Sequence, residues 1–338
     1  MFTEVVPSHG VKKETMMKRT FLFALALLFV STASAQEAQS SDPPKGASAG
    51  AQVATLPAAD DTAKAAAEEL QKAVQNPVAS LISVPVQNNS NFGVGPYNRT
   101  QDVLNIQPVI PINVSKNWMV ITRIIQPIVW QPYPNQNTGG EYGLGDMNPT
   151  FFLSPRHAGK LIWGVGPAFV IPTATNDILG QGKFSLGPSV VLLTQPGHWT
   201  LGALVNNVWS VAGSGSRPPV NQMLLQYFVN YNLKRGWYLS VSPILTANWE
   251  AGSGNVWTVP FGGGVGRVMK LGFQPVNLTA QFYGNAVHPA GTSSWGMRMQ
   301  IAFLFPKLTK EQEKMMMQQK LKQLEQEQTQ TQTPQPKK

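Results

Sequence analysis

The chain has 338 residues, no cysteine, a formal net charge of +9 and only 13% charged residues against 42% hydrophobic ones. A soluble globular domain carries about a quarter charged residues, so an ordinary water-exposed surface is excluded, and the lack of Cys rules out a disulfide scaffold and thiolate metal sites. The positive charges are dispersed and no nucleic-acid-binding fold accompanies them, so nucleic acid is not an expected partner.

In chain order, the first element is a targeting segment. Lys18 and Arg19 precede the apolar run FLFALALLFV (21–30), and Ala33-Ser34-Ala35 is a small-x-small cleavage pattern. This is the layout of a secretory signal peptide, and a ten-residue apolar run is too short to span a bilayer as a helix. Met16-Met17 resembles a natural start, so residues 1–35 read as an upstream extension plus signal peptide. Residues 36–60, rich in Ala, Ser, Pro and Gln, read as a flexible linker. Residues 61–76 follow with strong helix formers up to Asn76-Pro77, which predicts a short periplasmic helix.

The region 77–306 predicts an all-β fold. Twelve stretches alternate apolar and polar residues: 81–86, 101–114, 118–130, 144–154, 161–172, 183–194, 199–211, 221–233, 237–249, 256–268, 276–285 and 294–305. In 221–233, Met223, Leu225, Tyr227, Val229 and Tyr231 oppose Gln222, Gln226, Asn230 and Asn232. The polar side is mostly uncharged, as in a confined wet lumen. Short connections (115–117, 156–160, 195–198, 234–236, 270–275) alternate with longer ones (87–100, 131–143, 173–182, 212–220, 250–255, 286–293). That alternation fits a transmembrane antiparallel β-barrel of about twelve strands with short periplasmic turns and longer outer loops. Unpaired backbone groups are not tolerated in lipid, so the sheet must close. The expected location is the outer membrane, with lipid and lipopolysaccharide as surroundings.

The aromatics fit the same picture. Trp118, Trp163, Trp199 and Trp237 follow short turns; Trp130, Trp209, Trp249, Trp257 and Trp295 adjoin long loops. Two interfacial girdles are expected. The last stretch, WGMRMQIAFLFPK (295–307), alternates strictly, with Phe303 and Phe305 at the inner interface. It predicts the closing strand, of the kind the outer-membrane assembly machinery recognises, although here a tail follows. Residues 307–338 predict a periplasmic helical segment with a disordered end, so short extensions flank the barrel at both ends.

By parity, Arg123, Asp146, Lys183, Asn206, Gln226, Asn230, Thr246, Gln281, Arg298 and Gln300 are candidate lumen-lining residues, with Asp102 a further candidate. Their balance is mildly positive, and rings of charge tune which solutes pass; internal Arg–Asp bridges filling the barrel are the alternative. Gly262, Gly263, Gly264 and Gly266 thin one strand and predict a bend in the barrel wall or the close approach of an inward loop or plug. Gly180-Gln181-Gly182-Lys183 precedes a strand and reads as a hairpin loop, not a phosphate loop. No metal-ligand spacing occurs, and no cofactor is expected. For hydrolytic chemistry the sole candidate base is His288, with Ser293 and Ser294 nearby, and the expectation is that the protein is not an enzyme.

The stretches NPVASLISVPVQNN (76–89), WGVGPAFVIPTAT (163–175), LGQGKFSLGPSVVLL (179–193), GHWTLGALVNNVWSVAG (197–213) and WGMRMQIAFLFPK resemble a Gram-negative outer-membrane barrel family. Its members carry labels such as "neuromedin U" or "transporter", and it is similar to the barrel group named after the meta pathway of phenol degradation. The resemblance spans about residues 76–307. It implies an outer-membrane barrel and little about substrate. The polar lumen and short turns lead to the expectation of a passive channel or porin-like transporter for small solutes, hydrophobic or aromatic ones by analogy with the family. The competing readings are a structural barrel presenting its periplasmic termini to partners and, less favoured, a lipid hydrolase.

Overall fold

The computed structural model describes residues 59–306. The signal peptide, almost all of the linker and the C-terminal tail lie outside the described residues. One helix, α1 (Ala59–Val74), precedes the strands, starting two residues before the expected segment.

Fifteen strands build the twelve staves of a closed antiparallel barrel. They are β1 (Ile82–Val94), β2 (Arg99–Ile106), β3 (Val109–Asn113), β4 (Trp118–Pro132), β5 (Gly140–Leu144), β6 (Asn148–Pro155), β7 (Leu161–Val170), β8 (Lys183–Thr194), β9 (Trp199–Gly213), β10 (Asn221–Asn232), β11 (Trp237–Val241), β12 (Ile244–Asn248), β13 (Trp257–Leu271), β14 (Gln274–Val287) and β15 (Trp295–Phe305). Three staves are broken in two: β2/β3 at Gln107-Pro108, β11/β12 at Ser242-Pro243, and β5/β6 around Asp146. In the first two a proline, which has no N–H, interrupts the ladder.

Closure is made by β15, which pairs with β1 from Ile82↔Phe305 to Phe92↔Trp295 and with β14 on its other edge. The predicted closing strand therefore closes the barrel. The turns at the α1 end of the barrel are tight; between β13 and β14 only residues 272 and 273 intervene, Gly272 at φ +59°.

The first outer loop departs from expectation. Residues 87–100 read as a long connection because Gln87, Asn88, Asn89, Ser90 and Asn91 form a polar run. Instead β1 continues to Val94 and a turn at 95–98 leads into β2. Side-chain pairs explain how a polar run stays in a strand: Asn91 Nδ2 donates to Gln101 Oε1 at 2.9 Å, and Ser90 Oγ to Asp102 at 2.6 Å.

The outer surface is apolar. Leu161, Val165, Leu192, Val205, Tyr227, Val229, Leu239, Val265 and Phe282 are all exposed. Seven of the nine tryptophans are exposed as well (Trp118, Trp199, Trp209, Trp237, Trp249, Trp257 and Trp295), while Trp130 and Trp163 are half-buried. Phe305 is exposed and Phe303 half-buried. The aromatics pair along the two rims: Trp118 with Trp163 at 5.8 Å, Trp199 with Tyr231 at 4.7 Å, Trp249 with Trp257 at 5.4 Å, and Phe92 stacked on Trp295 at 4.0 Å. A closed sheet with an apolar outer face and aromatic rims is the architecture of an outer-membrane barrel.

Candidate functional site: an outward chamber above a sealed periplasmic mouth

Alternation sends every second side chain into the lumen, and the lumen is layered. Its outer half holds a chamber of about 480 Å³. Polar lining comes from Gln87, Asn105, Gln107, Arg123, Asn148, Thr150, Asn206, Gln222, Gln226, Thr246, Asn248 and Thr258, and Val256 and Pro289 of the outer loops overhang it. Ile125, Val208, Leu224 and Ile244 add apolar wall. Among the described residues, no acidic side chain lines it.

Two residues below Arg123 on β4, a step of about 7 Å, is Ile121. It belongs to a cluster with Met119, Phe152, Val191, Leu193, Leu204, Phe228 and Val78, every member buried. These side chains point inward, so in a water-filled pore they would be wetted; Ile121, Phe152 and Val191 are instead 0% exposed. The chamber floor is dry.

Beside this cluster the mouth is closed by the chain that leads into β1. Leu70, Ala73 and Val74 of α1, with Ala79, pack on Leu81, Tyr238, Val268, Ala302 and Leu304. Gln71 Nε2 donates to the Trp237 carbonyl at 2.8 Å, Gln75 Nε2 to Asn232 Oδ1 at 2.7 Å, and Gln195 Nε2 to the Lys72 carbonyl at 2.8 Å. The helix read from the sequence as a periplasmic extension is thus docked in the barrel mouth.

Of the ten predicted lumen residues, Arg123, Asn206, Gln226 and Thr246 line the chamber. Asn230 is buried deeper, level with Thr200 and Ser240 on the flanking strands. Gln281 and Arg298 fill the opposite side of the lumen. Gln281 Nε2 donates to Ser240 and Ser242 at 2.9 Å each, and Arg298 donates to Asn89, to the Ser242 carbonyl and to Gln281 while lying over the Tyr283 ring. Gln300 pairs in register with Gln87 and Thr279 but stays outside the chamber lining, as does Lys183 at the outer end of β8.

The two aspartates expected to face the lumen are placed otherwise. Asp146 sits in the β5/β6 break, 7% exposed, and accepts the backbone N–H of Gln181 at 2.6 Å and of Ala174 at 3.2 Å. Gly180-Gln181-Gly182 therefore wraps a carboxylate of the chain itself, and Arg217 clamps that loop through the carbonyls of Asp177, Gly180 and Gln181. Asp102 pairs opposite Trp130 and shares the outward parity of exposed Ile106, so it faces away from the lumen. The alternative of internal Arg–Asp bridges is not realised: among the described residues, neither Arg123 nor Arg298 has a carboxylate partner. At the outer rim Tyr133 donates to Glu141, which raises the pKa of the phenol.

The candidate hydrolytic group is not assembled. His288 Nδ1 contacts the Pro289 carbonyl at 3.1 Å and Thr292 Oγ1 at 3.4 Å. Ser293 serves Asn285, and the Ser294 amide donates to Phe92.

What sequence reasoning missed is the seal. Its signal was the i, i+3, i+4 spacing of Leu70, Ala73 and Val74 on an otherwise polar helix, which marks one face for burial.

No family model and no curated protein matches the sequence. Among solved structures, the fold is similar to that of an outer membrane channel from Pseudomonas putida F1, at 13% identity and a TM-score of 0.52, over 67% of this chain and 94% of that one. The CymD monoaromatic hydrocarbon channel aligns at 10% identity and a TM-score of 0.40, over 71% of this chain and 93% of that one. Outer membrane phospholipase A from Escherichia coli aligns at 13% identity and a TM-score of 0.36, over 68% and 97%. The chain therefore shares the barrel fold of an outer-membrane protein.

Proposed function

We propose that the protein is an outer-membrane channel for small solutes, held closed at its periplasmic mouth by α1. The observation that carries this reading is the polar chamber inside a closed barrel, set over a dry apolar floor. A barrel that served only as a scaffold would have no need of a solvated cavity of this size. Hydrophobic or aromatic solutes, taken by analogy with the resembled family, are compatible with the apolar part of the lining. We assign the protein no catalytic role, because His288 lacks a hydrogen bond to Ser293 or Ser294. Lipid and lipopolysaccharide are the proposed surroundings of the aromatic rims, and the assembly machinery the proposed reader of β15.

Planar-bilayer recording tests the channel. The full chain is compared with a variant in which residues 59–78 are replaced by a Gly/Ser linker of equal length. Small, rare openings are expected from the full chain and a mean conductance at least about tenfold higher from the variant, since the seal contributed by Val78 and α1 is gone. Folded barrels of both kinds that neither conduct nor release solute from liposomes would sink the proposal.

A further inference from the structure

We infer that the chamber binds a small organic anion, a carboxylate on a compact apolar body, and that Arg123 is the group that holds its charge. This deepens the channel reading and rests on its chamber. Arg123 projects from β4 with five N–H donors in a planar fork, and one of them is used, from Nη2 to Gln107 Oε1 at 3.0 Å. The side chain is half-buried and lines the chamber, and its other nitrogens have no hydrogen-bond partner among the described residues.

Among the described residues, no carboxylate neutralises that charge. No acid lines the chamber, Asp146 is consumed by the amides of residues 174 and 181, Asp102 faces outward, and Glu141 is engaged by Tyr133. Arg298 is committed elsewhere, reaching Asn89, Ser242 and Gln281 and stacking on Tyr283, and Lys183 lies outside the chamber lining. Among the described residues, Arg123 is thus the guanidinium that the chamber leaves open.

Its setting favours an anion with a hydrocarbon body over a bare inorganic one. The dry floor below weakens solvent screening, so a charge-assisted hydrogen bond there is stronger than on a surface. Ile125, Val208, Leu224 and Ile244 offer apolar wall to the rest of the molecule, and Gln87, Asn105 and Asn206 offer amides that orient it. A volume of about 480 Å³ falls within the range of pockets that hold small organic ligands.

Titration calorimetry on the full chain, folded in detergent, tests the assignment with two probes of matched shape, cyclohexanecarboxylate and its neutral amide. The carboxylate is expected to bind at least about tenfold more tightly than the amide. Arg123→Gln is expected to erase that difference by lowering carboxylate binding to the level of the amide. Arg123→Lys, which keeps the charge and loses the fork, should fall between. Equal binding of the two probes by the native chain, binding of neither, or full carboxylate affinity in a folded Arg123→Gln barrel would each overturn the inference. Should Arg123→Gln not fold, the comparison of probes on the native chain still decides. Because no ion flow is measured, a chain that binds the carboxylate without conducting refutes the channel and keeps the site. One that conducts without discriminating between the probes does the reverse.

Discussion

Tyr238 lies on the inward face of β11, 4% exposed, and donates to Asn277 Oδ1 at 2.9 Å. Its ring covers Gly266 of β13, where any Cβ would overlap it. The glycine run of β13 read in the sequence as a bend or the approach of an inward loop or plug; at Gly266 it is instead the Tyr238 ring of the paired strand that fills the space. Gly266→Ala should destabilise the barrel by about 1–3 kcal/mol through overpacking, read as a shift in denaturant unfolding. Tyr238→Phe should cost about 1–3 kcal/mol, since Asn277 Oδ1 then loses its partner in a buried setting. Equal stability of both variants to the native chain would refute the packing argument. The aspartates were harder to read. Alternation placed Asp146 in the lumen, with Asp102 a further candidate. The break at residues 145–147 and the outward parity of Asp102 depend on register, where a slip of one residue reverses the face.

At the scale of elements, α1 is joined to the barrel by a buried polar contact that is incompletely satisfied. Gln75 Nε2 bonds Asn232 Oδ1, yet Gln75 Oε1 and Asn232 Nδ2 are buried with no protein partner. Each such atom costs about 1–3 kcal/mol, so the seal is weaker than the apolar packing around it would make it. That suits a helix that must come out. Replacing both partners by an apolar pair, Gln75→Leu with Asn232→Leu, removes the penalty and should tighten the seal. In bilayers this double variant is expected to open less often than the native chain, and a higher opening frequency would contradict the account. Most strands were legible because lumen and lipid enforce opposite polarities on alternate residues. The early end assigned to β1 came from a polar run whose partners, Gln101 and Asp102, lie across a turn. The docking of α1 was hidden by its alanine-rich, mostly polar composition, in which three small or apolar residues mark the buried face.

For the whole molecule, the decisive asymmetry is between an apolar outside and a wet upper inside. Val205 and Asn206 are chain neighbours near the middle of β9; the first is exposed on the outer wall and the second lines the chamber. Val205→Lys should cost about 2–4 kcal/mol of unfolding free energy in lipid vesicles, the range for a cation near the bilayer midplane. Asn206→Lys should remain within about 1 kcal/mol of the native chain. Similar costs at both positions would mean that the barrel is not seated in lipid as its surface suggests. The closed, twelve-staved form was legible from alternation and connection lengths. The plugged state was not, since it arises from contacts between the segment before β1 and strands distant in sequence, from β10 round to β15.

The seat of α1 has a consequence for the order of events during biogenesis. Its contacts come from β10, β11, β13 and β15, among them Asn232, Trp237, Val268 and Leu304. The helix is synthesised before any strand, yet its socket is complete only once the last strand has zipped to the first. A half-assembled barrel therefore leaves α1 open to proteases, and a finished one shelters its last two turns. Protection of the peptide bonds around Gln71 and Gln75 would time-stamp the moment the ring closes.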